Sequence, residues 1–196
     1  MEKYYLYIVL TRTNSTVSKL IGLFTKDEYT HAAISLDKDL NNMYSFARKY
    51  TFNPFIGRFK HENLNEGLYK FSKNLPGAII EIEVSKEQYE KATQLVNNFI
   101  ENSNKYKYNY IGLIHNLLNK EVCYENRFLC SEFVYHILNQ SSILDFNMSR
   151  NLVKPATLLN SKGDMIFKGN LKELKGSSVG YSSGGFQPME LRVAYE

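Results

Sequence analysis

A chain of 196 residues suffices for one domain with a full core, and 43% apolar with 22% charged residues is the balance of an ordinary globular protein. A net charge of +4 is mild, and its densest basic cluster, Arg58, Lys60 and His61, is soon followed by Glu62 and Glu66, which excludes a basic stripe tracking nucleic acid. Two cysteines, Cys123 and Cys130, are too few for a disulfide framework and form no CxxC zinc pair. Scarce cysteine points to a reducing compartment.

The run Tyr4 to Leu10 is aromatic and β-branched and reads as a buried strand. It is too short for a signal peptide, and no stretch reaches the roughly 20 apolar residues that span a bilayer. The expectation is a cytoplasmic protein without stable membrane insertion. Asn14 or Ser15 caps a short helix with Val17, Leu20, Ile21 and Phe24 on one face. Tyr29 to Leu36 is a second strand, closed by the turn Asp37-Lys38-Asp39, and Met43 to Ala47 a third, paired with it as a hairpin. Residues 48–76 read as irregular, punctuated by Asn53-Pro54-Phe55 and Gly57. Ala78 to Val84 alternates as a fourth strand. Ser85, with Glu87 and Gln88 in the first turn, caps a helix to about Asn102 that turns Tyr89, Ala92, Leu95, Val96, Phe99 and Ile100 to the core. Tyr108 to Leu118 is apolar and helical, Cys130 to Leu138 a buried helix, and Asp164 to Gly169 a late strand. The Gly/Ser-rich stretch from Lys175 reads as a flexible tail, giving a domain over 1–174 and a tail over 175–196. Strands and helices in mixed order predict an α+β fold with an antiparallel sheet.

Cys130 stands where its helix begins. A helix N-terminus favours the thiolate, and its free N–H groups suit an oxyanion hole, Ser131 being the next residue. The plainer reading is a small buried hydrophobe. A catalytic thiol needs a base within reach. His136 lies six residues on, about 240° around the same helix, and points elsewhere. His115 sits in an apolar run and His61 in the long loop. His31 lies in a strand before Ala32-Ala33, small neighbours that let a helix approach, though a strand histidine is as readily structural. Asp37 and Asp39 belong to a turn, so no metal is expected; nor is a cofactor.

The pair Tyr29-Thr30-His31-Ala32-Ala33-Ile34-Ser35-Leu36 and, about a hundred residues later, Phe128-Leu129-Cys130-Ser131-Glu132-Phe133-Val134 resembles the NlpC/P60 superfamily. The order, His before Cys, is that of its circularly permuted branch, which includes the YiiX-like and lecithin:retinol acyltransferase-like proteins. The resemblance covers roughly residues 4–168. It implies a papain-like core, with a Cys helix packed on an antiparallel sheet that carries the His. Cys130 would attack a carbonyl carbon to form a thioester, and His31 would move the proton. The family places a third polar residue on the next strand to orient the ring. Ser45 occupies that place here, where Glu, Gln, Asn or His is the pattern; Glu62 or Glu66 is the alternative. Tyr29, beside His31, is a candidate oxyanion donor.

The implied activity is a cysteine hydrolase of amide or ester bonds acting on a small-molecule, peptide or lipid-like acyl substrate. Two rivals stand beside it. One is a non-enzymatic binding module on the same fold, motivated by the weak third residue. The other is a lipid acyltransferase at a membrane surface, for which 106–120 is the candidate amphipathic segment. Oligomeric state leaves no mark in the sequence.

Overall fold

The computed structural model describes residues 2–12, 27–48 and 57–176. In chain order the elements are β1 (Tyr4–Thr11), β2 (His31–Ser35), β3 (Met43–Arg48), β4 (Gly57–Glu62), a one-turn helix α1 (Gly67–Lys70), β5 (Pro76–Val84), α2 (Lys86–Glu101), β6 (Lys107–Tyr108), α3 (Tyr110–Leu117), β7 (Arg127–Phe128), α4 (Cys130–Gln140), α5 (Pro155–Leu158) and β8 (Asp164–Asn170), with 3₁₀ turns at Ser103–Lys105, Arg150–Leu152 and Leu171–Gly176. The predicted helix over 15–24, the turn at Asn53-Pro54-Phe55 and the Gly/Ser-rich run beyond 176 lie outside the described residues.

Six strands form one antiparallel sheet in the order β4-β3-β2-β1-β5-β8, while β6 and β7 make a short parallel pair of their own. The mixed architecture with an antiparallel sheet is the one expected from the element order. β1 lies centrally, with Val9 opposite Ala33 on one side and Ile79 on the other. Its residues from Leu6 onward are buried, because both sides of the sheet are covered.

Strand alternation sorts the apolar residues into two layers. Leu6, Ile8, Leu10, Ile34, Phe46 and Phe59 face the larger layer, under α2 and α4. There Phe99 and Phe133 stand edge to face at 5.0 Å, and Phe46 lies 5.3 Å from Phe128. Tyr7, Val9, Ala33, Met43 and Ile79 face a smaller layer closed by Tyr69 of α1 and by Leu171. Ser85 caps α2 as expected: its hydroxyl accepts the Gln88 N–H at 3.2 Å and Gln88 Oε1 accepts the Ser85 N–H at 2.9 Å.

Three local expectations change. The segment 57–70, expected to be irregular, contains β4 and α1. Phe59 is the sole apolar residue of β4, too faint a pattern to read as a strand. Tyr108 belongs to β6, not to a helix, which starts only after Asn109 caps Gly112 N–H at 2.9 Å. Ile100, expected in the core, is 40% exposed. Among the described residues no helix is long and apolar enough to cross a membrane.

Candidate active site

His31 opens β2. The Thr30 N–H just before it bonds the Thr11 carbonyl at 3.0 Å, which fixes where the strand begins. Ala32 is fully buried on the α4 side of β2 and presents almost no bulk, so α4 packs across β2. That packing brings the first residue of α4, Cys130, close enough to the His31 ring for the thiol to favour the charged imidazole. Cys130 is 7% exposed. Both cysteines are free thiols.

On its other side His31 Nε2 meets Glu62 Oε2 at 3.1 Å. With Nε2 held there, Nδ1 is the nitrogen left for the thiol. The same Glu62 oxygen accepts the Tyr69 hydroxyl at 2.9 Å. Glu62 is 4% exposed and Tyr69 6%, so these contacts operate with little competition from water. Burial by itself lowers the His31 pKa. The Glu62 charge and the contact with Cys130 outweigh it and push the value up to about 10. Burial likewise works against the Glu62 charge, but His31 and then the Tyr69 hydroxyl hold its carboxyl below the usual range. Burial and the neighbouring Glu62 charge push the Tyr69 phenol well up, so it stays a donor.

Of the residues singled out from sequence, His31 and Cys130 come together. Ser45, buried on β3, lies near enough to favour the charged form of Glu62, but its hydroxyl makes no hydrogen bond of ordinary geometry. The ring's partner is Glu62, at the end of β4; Glu66 is exposed. The Tyr29 hydroxyl donates to Glu28 Oε1 at 3.2 Å, and burial pushes its pKa up to about 12. The Ser131 hydroxyl donates to the Val153 carbonyl at 2.6 Å. The first-turn amides of α4, including those of Cys130 and Ser131, have no acceptor within their own helix and are free for an oxyanion. Tyr69 escaped the sequence reading: nothing in a short loop-like stretch marks one tyrosine among 15.

A mostly apolar cleft lies beside Cys130, walled by Leu113, Leu117, Leu129 and Pro155, with Asn116 and Lys154 as polar points. Two other histidines, His61 and His136, are engaged elsewhere. His61 Nε2 contacts the Asn41 carbonyl at 2.6 Å, and His136 packs against Phe99 and Phe128, where burial and then Arg150 push its pKa down to about 4. Among the described residues no group of three or more His, Cys, Asp or Glu is placed to hold a metal. The chain matches no family model, no curated protein and no solved structure.

Proposed function

We propose that this chain is a cysteine hydrolase of amide or ester bonds, built on the permuted papain-like arrangement that its His-then-Cys order resembles. One observation carries the reading: the His31 ring meets the buried Glu62 carboxylate at 3.1 Å on one side and lies close to the Cys130 thiol, at a helix N-terminus, on the other. Nucleophile, base and orienting acid then follow one another with the roles such chemistry needs.

Near neutrality His31, its pKa raised to about 10, already holds the proton drawn from Cys130, and in the first half-reaction the sulfur attacks the substrate carbonyl carbon. The tetrahedral oxyanion collects at the first amides of α4. Collapse breaks the bond to the leaving amine or alcohol, which takes the proton from His31 and departs, leaving a thioester on Cys130. In the second, water gives a proton to His31 and attacks the thioester; collapse breaks the C–S bond, releases the acid and leaves the proton on His31 beside the freed sulfur. Glu62 stabilises the imidazolium in both halves and fixes the ring through Nε2, and the Tyr69 hydroxyl keeps Glu62 in place.

The test is peptide-resolved alkylation with iodoacetamide near neutral pH, with the exposed Cys123 as internal reference. Cys130 is expected to react faster than Cys123 despite its burial, and Cys130→Ala to abolish hydrolysis of model thioesters and p-nitrophenyl esters. A Cys130 no faster than Cys123, with activity surviving Cys130→Ala, rejects the reading.

One observation favours a lipid ester as the substrate. Ile111, Ile114, Leu117 and Leu118, in and just after α3, are 49%, 57%, 39% and 60% exposed, Leu117 at the cleft itself, and are flanked by the exposed Lys107 and Lys120. Flotation with anionic liposomes tests it, and no co-flotation removes it.

A further inference from the structure

Behind the cleft, one buried carboxylate ties two helix starts together. Glu132, two residues after Cys130 and wholly buried, folds back so that its Oε2 accepts the Leu129 N–H at 2.5 Å. The Asn109 Nδ2 donates to the same oxygen at 3.2 Å and faces Oε1 at 3.5 Å. Asn109 in turn accepts the Gly112 N–H at 2.9 Å and so caps α3. A Cβ on Gly112 would lie 2.0 Å from Asn109 Nδ2, so the cap closes only over glycine.

A glutamate at this helix position is a familiar capping residue, worth little when exposed. Full burial adds a desolvation cost that one cap does not repay. Burial pushes its pKa up, against the pull of the Leu129 N–H, Asn109 and Arg150. What the carboxylate holds is the common origin of the nucleophile and of one cleft wall: α4 begins with Cys130, and α3 supplies Leu113, Asn116 and Leu117.

We propose that Glu132 and Asn109 are a positioning pair for Cys130, fixing the Leu129–Cys130 turn against the start of α3 so that thiol, first-turn amides and cleft wall keep one geometry. The inference rests on Cys130 being the nucleophile. The pair touches no reacting atom; it acts through the backbone, and a misplacement of about 1 Å at a reacting centre costs on the order of 10²-fold in rate.

The charged and titratable groups around the thiol are His31 from β2 with Glu62 behind it, Tyr69 of α1, Asp27, Tyr108 and Lys154 at the cleft, and Glu132 on its own helix with Arg150 acting on that carboxylate. The experiment is alkylation of the full-length chain by iodoacetamide from pH 6 to 9, read as the ratio of Cys130 to Cys123, with thermal melts alongside. Glu132→Gln keeps an acceptor oxygen for both donors and is expected to stay within about twofold of wild type. Glu132→Ala is expected to lower the ratio about tenfold at pH 6.5 and to lose the low-pH limb of the profile, and Asn109→Ala, which leaves the Leu129 bond, to lower it about threefold. Should Glu132→Ala fail to fold, Asn109→Ala decides. Alanine variants that melt earlier but alkylate as wild type does make the pair merely structural and overturn the proposal. A wild-type Cys130 no faster than Cys123 instead removes the nucleophile on which it stands.

Discussion

The two sides of the sheet are built on opposite terms. Toward α2 and α4, Phe46, Phe59, Phe99, Phe128 and Phe133 interlock as an aromatic core whose stability is area and ring geometry. On the other side the same strands bury Ser45, Glu62 and Thr11 among apolar residues, with Tyr69 joining Glu62 from α1. The aromatic side tolerates change in proportion to volume lost. The polar side is sensitive to the loss of single atoms, since a buried charge without its partner is costly. The side most sensitive to single atoms is therefore the one that supplies Glu62 and Tyr69 to the base.

Substitutions that sharpen this contrast fall in a sequence of effects. His31→Ala removes base and thiol partner together and is expected to reduce ester hydrolysis by about 10³-fold or more. Glu62→Gln keeps the shape but loses the charge that supports the imidazolium, and about 10²-fold is expected in kcat, with the alkaline limb of the pH profile moving toward neutrality. Tyr69→Phe leaves Glu62 charged with one donor fewer, so about threefold to tenfold in rate is expected, with a lowered Tm. Ser45→Ala removes a hydroxyl without an ordinary hydrogen bond, and a change within about twofold is expected. A Ser45→Ala loss as large as that of Glu62→Gln would reverse the two residues' roles.

The same contrast has a pH signature. His31 binds its proton more tightly in the folded chain, at about 10, than at its ordinary 6.5. Its stabilising effect is therefore complete below pH 6.5 and is lost as pH rises toward 10. Thermal melts of wild type and His31→Gln should differ most at pH 6 and converge by pH 10; a difference that grows with pH contradicts the ion pair.

The aromatic side was the more legible in sequence. Ile80, Ile82, Ala92, Val96 and Phe99 repeat at strand and helix spacing, so β5 and α2 follow from period alone. β2 and α4 are equally plain, but His31 and Cys130 read as readily as structural residues, and only the resemblance carried by their order joins them as a candidate pair. The polar side was not. Glu62 sits in a strand with a single apolar residue, so its pattern is that of a loop, and it stood only as an alternative to Ser45. The resemblance points to Ser45, on the strand next to β2, but its hydroxyl makes no hydrogen bond of ordinary geometry and the ring is met instead by Glu62, one strand further. In sequence Glu132 is only one residue of the Cys130 motif, and its burial against Asn109 is what distinguishes it.

The most direct measurement compares iodoacetamide alkylation of Cys130 and Cys123 at pH 6.5 in wild type and Glu62→Gln. A thiol joined through His31 to a buried carboxylate predicts that Cys130 is the faster in wild type and loses that advantage in Glu62→Gln. Equal rates for the two cysteines in wild type, or a Cys130 advantage unchanged by Glu62→Gln, would contradict the account.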